Sequence, residues 1–227
     1  MLGTSKPLRY RREWRIFIAT FAVCGAFAIG AMSWLYAPTF VAYWRYSPQE
    51  GDVLFQSLPP SKLVVAIEGA TMSPFSHCGV VAKRDGDWVV YEAFEGVEET
   101  PLREFVMRGR EQGFAVYRLR EDFRQFIPAM IKNVKTYLGR EYDVRYRMDD
   151  EKIYCSELIY KAYRDASGGE KLGDFVCLGD LNWQPYETTI THFEQGPVPL
   201  DREMITPRDM ARAKQLELLS AHRISVE

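Results

Sequence analysis

Residues His77–Phe94 read HCGVVAKRDGDWVVYEAF: two β-rich runs, His77–Lys83 and Trp88–Phe94, around Arg84-Asp85-Gly86-Asp87. Asp-Gly at the centre of a two-residue loop favours a type I′ hairpin, because both central residues must take positive φ. With Asp85 and Gly86 as the loop, Arg84 pairs with Asp87, Gly79 with Glu92 and His77 with Phe94. Opposed residues share a face and neighbours along a strand alternate. His77 and Glu92 therefore fall on one face as diagonal neighbours, while Cys78 and Tyr91 point to the other. An even loop preserves this parity and an odd one destroys it.

Working outward, Gly51–Ser57 (GDVLFQS) alternates with Val53 and Phe55 on one face and predicts a strand, as does Phe114–Leu119 (FAVYRL). Ser61–Ala70 predicts a short helix. Glu121–Leu138 carries Phe123, Phe126, Ile127, Met130, Ile131, Val134 and Leu138 at helical spacing, with Gly139 as its stop and a kink expected at Pro128. A second amphipathic helix spans Cys155–Ala166, closed by Ser167-Gly168-Gly169. Residues 170–205 read as loop-rich. Thr206-Pro207 reads as an N-cap with proline at the first helical position, opening a terminal helix. The mixture is α+β: an antiparallel sheet with helices packed on it.

No charged residue occurs between Arg15 and Arg45. Residues 16–44 contain an apolar run long enough for one bilayer crossing at about 20 residues. Trp14, Trp34, Tyr36, Tyr43 and Trp44 stand near its ends, and Lys6, Arg9, Arg11, Arg12 and Arg15 precede it. The positive-inside rule then predicts a cytoplasmic basic segment over 1–15, a membrane anchor over 16–44 and an extracytoplasmic domain over 45–227. The expectation is a single-pass inner-membrane protein with its domain in the periplasm. The alternatives are a cleaved signal peptide, for which the apolar run is too long, and a buried soluble helix.

The charge is balanced, with 29 basic against 31 acidic residues, and this argues against nucleic acid as a partner. Four cysteines (Cys24, Cys78, Cys155 and Cys177) show no C-x-x-C pair, so a zinc ribbon is not indicated. A disulfide among Cys78, Cys155 and Cys177 stays open for a domain outside the cytoplasm. The histidines are His77, His192 and His222. A histidine beside a carboxylate is an oriented base. Cys155 in Tyr154-Cys155-Ser156-Glu157-Leu158 lies in the first turn of a helix, where the free amides favour thiolate and can hold an oxyanion.

The segments HCGVV (77–81), Tyr91-Glu92-Ala93, GREYD (139–143) and YCSEL (154–158) resemble the permuted papain-like amidases of the YaeF and YiiX type, within the NlpC-like cysteine hydrolases. Gly51–Phe55 and Ile205-Thr206-Pro207 resemble that family's entry strand and exit helix. The resemblance spans about residues 50–213. It implies a circularly permuted papain-like domain whose order is His, then carboxylate, then Cys. It implies Cys155 as nucleophile, His77 as general base and Glu92 as the third residue. Tyr142, with Tyr154 and Ser156, is expected at the oxyanion or substrate-lining positions. Cys78 departs from the hydrophobic residue the family usually carries after the histidine. The expected activity is hydrolysis of an amide or related acyl bond through a cysteine thioester, on a peptide or lipid acyl substrate of the cell envelope. No cofactor or metal is required, the bilayer is contacted through residues 16–44, and the sequence names no protein partner. The alternatives are a lipid acyltransferase or thioesterase, and a catalytically inactive tethered binding module.

Overall fold

The structure, a computed structural model, describes residues 8–226. The chain divides into two compact units, an amino-terminal helix and a domain beginning at Tyr46. The helix, α1, runs from Leu8 to Arg45, two turns earlier than the apolar run alone predicts. Its Phe17–Arg45 portion is long and apolar enough to cross a membrane. Lys6, part of the predicted basic segment, lies outside the described residues.

The domain elements, in chain order, are β1 (Val53–Gln56), α2 (Lys62–Thr71), β2 (His77–Arg84), β3 (Asp87–Ala93), β4 (Val97–Pro101), α3 (Leu102–Arg108), β5 (Phe114–Leu119), α4 (Ile127–Lys135), α5 (Cys155–Ser167), β6 (Val176–Cys177), α6 (Glu187–Glu194), β7 (Glu203–Met204), α7 (Pro207–Ala211) and β8 (Leu216–His222). Six strands form one sheet in the order β4-β3-β2-β1-β5-β8, and every named pairing in it is antiparallel.

The β2–β3 hairpin has the register its sequence predicts. Arg84 faces Asp87 and Gly79 faces Glu92. Asp85 and Gly86 take φ of 50° and 97°, the positive values a type I′ turn demands. Gly79 also leaves no room for a side chain against the neighbouring strand. A Cβ there would lie 2.3 Å from Val90 Cγ1.

The sheet buries both faces. Val53, Phe55, Cys78, Val80 and Tyr91 join the side chains of α4 and α5 in one apolar core. Leu54, Val81, Val90 and Val116 alternate to the other face, and α3 supplies the buried Leu102, Phe105 and Val106. Burial on both sides explains the near-continuous apolar runs in β1, β2 and β5.

Three expectations give way to the structure. The long helix over 121–138 is a 3-10 turn, Glu121–Phe126, followed by α4. Pro128 therefore falls in the first turn of α4, where a missing N–H costs no hydrogen bond and no kink arises. The stretch 170–205 contains α6 and the small β6–β7 pairing. The terminal helix is only five residues long, and the chain then returns as β8 against β5. Periodicity could not reveal β8, because an edge strand with one half-exposed face carries little alternation of its own.

Candidate active site

β2 begins at His77 and α5 begins at Cys155, so both side chains stand at the ends of their elements. Burial of Cys78, one residue along β2, against α5 brings the start of the helix to the start of the strand. The Cys155 side chain stands close enough to that of His77 there for each to shift the other's proton affinity, although His77 and Cys78 belong to opposite faces of the sheet. His77 Nε2 meets Glu92 Oε2 at 2.5 Å, the diagonal contact that hairpin parity predicts. With Nε2 taken by Glu92, Nδ1 is the nitrogen left for the sulfur. Sulfur, imidazole and carboxylate thus stand in sequence, the imidazole hydrogen-bonded to the carboxylate. Cys155 and His77 are each 1% exposed and Glu92 is fully buried.

The electrostatics follow from this line. Burial alone would lower the His77 pKa, but hydrogen bonds to Cys155 and Glu92 and the charges of both raise it to about 9. The Cys155 thiol is held well below its usual range, first by the Cys78 thiol hydrogen bond and, against its own desolvation, by the His77 side chain. The backbone N–H of Cys78 acts on the sulfur in the same direction. Its position at the amino terminus of α5 acts in the same direction. Burial pushes Glu92 up, but His77 and Arg108 outweigh it and bring its carboxyl down to about 2. These shifts favour the thiolate form of Cys155 and the charged form of His77 beside the Glu92 carboxylate.

Two residues that the sequence did not single out hold that carboxylate. Arg108 Nη2 donates to both Glu92 oxygens, and the Thr100 hydroxyl donates to Oε1 at 2.5 Å. The Arg108 guanidinium also covers the Phe94 ring at 3.9 Å. Phe94 and Phe105 pack against the His77 ring at 5.8 and 5.7 Å. Thr100 was within reach of the register argument. It pairs with Val90 and so shares the face of Glu92. Arg108 was not, because it arrives through the packing of α3. Gln56, directly opposite His77 in β1, is fully buried and its amide has no hydrogen-bond partner among the described residues.

The residues expected at oxyanion or substrate-lining positions divide into two groups. Tyr142 stands near enough to Cys155 for the thiolate to help keep its proton in place, and its hydroxyl lies 3.0 Å from that of Tyr146. Burial raises the pKa of both phenols, so both remain neutral donors. The side chains of Tyr154 and Ser156 are engaged internally. Tyr154 Oη donates to Met148 Sδ at 3.0 Å and accepts from Ile205 N at 3.1 Å. Ser156 Oγ donates to the Ile205 carbonyl at 2.8 Å. Glu157 accepts from Tyr154 N at 3.1 Å and pairs with Lys161 at 2.7 Å, clamping the start of α5. Ser156→Ala should therefore act on stability. We expect a loss of about 1–2 kcal/mol in denaturant unfolding, with Cys155 labelling by an acyl probe changed less than about twofold. A labelling rate that collapses in a stably folded variant would give that hydroxyl a chemical role.

An apolar cleft of about 80 Å³ adjoins this group, lined in part by Leu63, Ile67, Tyr146, Ile190, Phe193 and Met204. Tyr146 connects the two regions, since its ring lies 4.9 Å from that of Tyr154.

The profile of a family described as permuted papain-like amidase enzymes, YaeF/YiiX, matches residues 47–220. The uncharacterized protein YiiX of Escherichia coli strain K12 is 30% identical over 182 residues, covering 78% of this chain and 88% of YiiX. A crystal structure described as metalloprotein yiiX from Escherichia coli O157:H7 superposes with a TM-score of 0.70 at 28% identity, covering 78% of this chain and 99% of that one.

Proposed function

Since the chain belongs to the permuted papain-like amidases of the YaeF/YiiX type, we propose that it is a cysteine hydrolase in which Cys155 forms a thioester with an acyl substrate. The observation that carries this reading is the buried group in which His77 is hydrogen-bonded to Glu92 and stands beside the Cys155 sulfur, each lowering or raising the other's proton affinity. The Cys155 thiolate attacks the carbonyl carbon of an amide or ester. First-turn amides of α5 and the Tyr142 hydroxyl stabilise the oxyanion. His77 then gives its proton to the leaving nitrogen or oxygen. Glu92 keeps the ring oriented and the imidazolium stable until that transfer. Water, deprotonated by His77, resolves the acyl-enzyme and restores the thiolate.

The YiiX structure is described as that of a metalloprotein. Among the described residues of this chain, no group of three or more His, Cys, Asp or Glu side chains is arranged to hold a metal. The donor set does not fit a metal centre, and the mechanism is derived through side chains alone.

The length and apolar character of Phe17–Arg45 support an anchor in the inner membrane, and the basic residues before it support an extracytoplasmic domain. The substrate class on this reading is a peptide or lipid of the cell envelope. The apolar cleft beside Tyr146 favours a second reading, acyl transfer or thioester cleavage on a lipid. Incubation with peptide and with lipid substrates, followed by identification of the products, separates the two.

The pH profile tests the ion pair. Acylation needs Cys155 ionised and His77 protonated. Loss of the His77 proton above about pH 9 removes the acid, so kcat/KM should fall as pH rises through about 9. The acidic limb should lie well below the range of an ordinary thiol. A profile still rising at pH 9, as for an unassisted thiol, would remove the ion pair from the mechanism.

A further inference from the structure

We propose that Cys78 is the resolving thiol of an oxidation site centred on Cys155, at which a hydroperoxide converts the two thiols into a disulfide. The observation is a contact that strand parity alone did not suggest. Cys78 faces away from His77, into the α5 side of the sheet, where it shares one buried core with Cys155 at the head of that helix, and the two thiols shift each other's proton affinity. Both cysteines are free and buried, at 0% and 1% exposure. The fold therefore places a second sulfur against the reactive one, at a position with no part in the His77–Glu92 line.

The two thiols differ in reactivity. His77 and Cys78 stabilise Cys155 as thiolate. Burial, followed by the neighbouring Cys155, keeps the Cys78 proton in place. Only Cys155 is poised to attack a peroxide. Its sulfur takes the distal oxygen and the O–O bond breaks. The departing alkoxide or hydroxide leaves as alcohol or water with the proton of imidazolium His77. Cys155 is then a sulfenic acid, oxidised by two electrons, and the peroxide is reduced by two. Loss of the thiolate charge removes one of the causes that hold the Cys78 proton. The Cys78 sulfur attacks the sulfenyl sulfur, the S–O bond breaks, and hydroxide leaves with the Cys78 proton as a second water. The disulfide seals the nucleophile against sulfinic acid and returns to two thiols with a dithiol reductant. Hydrogen peroxide is smaller than any acyl group the same sulfur must admit, so access needs no separate route.

The inference rests on the nucleophile assignment for the order of events, and its test keeps the two apart. Full-length protein is treated with hydrogen peroxide and digested with trypsin. Lys62 and Lys83 bound the Cys78 peptide, and Lys152 and Lys161 bound the Cys155 peptide, so a cross-link between them has a unique mass. Labelling of Cys155 by a thiol-reactive acyl probe is measured in parallel. Wild type should show the 78–155 cross-link, with labelling reduced roughly tenfold and restored by dithiothreitol. Cys78→Ala, and Cys78→Val as a second variant that fills the core, should lose labelling irreversibly as Cys155 passes to sulfinic acid. Each variant is compared with its own untreated sample. Absence of the cross-link in wild type, a cross-link from Cys155 to Cys24 or Cys177, or equal reversibility in the variants would overturn the proposal. Absence of labelling in the reduced protein instead defeats the hydrolase reading, and the cross-link mass still decides this one.

Discussion

Cys155→Ala should lower kcat/KM by about 10⁴-fold or more, equivalent to about 5.5 kcal/mol of transition-state stabilisation, and abolish labelling by acyl probes. Alanine cannot form the thioester, and no second nucleophile takes its place. Cys78 is the nearest thiol, but burial and the adjacent Cys155 keep it protonated. Burial removes a hydroxyl or thiol from competition as a nucleophile unless a base and a charge partner stand beside it, and only Cys155 has both. The same variant should leave the fold intact. One buried sulfur is lost, with a small void and no severed buried salt bridge, so the stability change should stay within about 1–2 kcal/mol. Circular dichroism and thermal melting check the fold, and steady-state hydrolysis checks the chemistry. Turnover surviving in a folded alanine variant would move the nucleophile elsewhere.

Glu92→Gln should be nearly as damaging, for a different reason. Glutamine preserves volume but removes the charge that Arg108, Thr100 and His77 share. The His77 ring then loses its fixed tautomer and the stabilisation of its charged form. Its pKa drops, and the thiolate of Cys155 loses its counter-ion. Activity should fall by about 10²–10⁴-fold, and the alkaline limb of the pH profile should move to lower pH. The largely buried guanidinium of Arg108 is left facing a neutral amide, so stability should fall by about 3 kcal/mol. The pH dependence of stability carries its own sign. Folding lowers the Glu92 pKa from 4.5 to about 2, so its stabilisation is complete above pH 4.5 and is lost as pH falls through about 2. The glutamine variant should lack that part of the acid transition. An unchanged alkaline limb in a folded, active variant would reduce Glu92 to a structural anion.

Much of this site was legible before any coordinates. Asp85-Gly86 can close only a short hairpin of the right twist, and a two-residue loop settles the parity of every residue on both strands. His77 and Glu92 therefore had to share a face, and they do, at hydrogen-bonding distance. The YCSEL segment made Cys155 the candidate nucleophile and put it at the start of an amphipathic helix, where the structure has it, and the motifs around it pointed to the family that residues 47–220 match. These readings rest on local geometry: turn chemistry, alternation and helix caps act over a few residues and leave their mark in the sequence. The Arg108 clamp, the thiol of Cys78 against Cys155, the internal engagement of Tyr154 and Ser156, and the return of β8 to the sheet edge were decided by tertiary packing. Each joins segments distant in the chain, through contacts whose partners no spacing rule encodes. Parity could say that Cys78 turns away from His77. Only the seating of α5 on that face could say that it turns towards the sulfur.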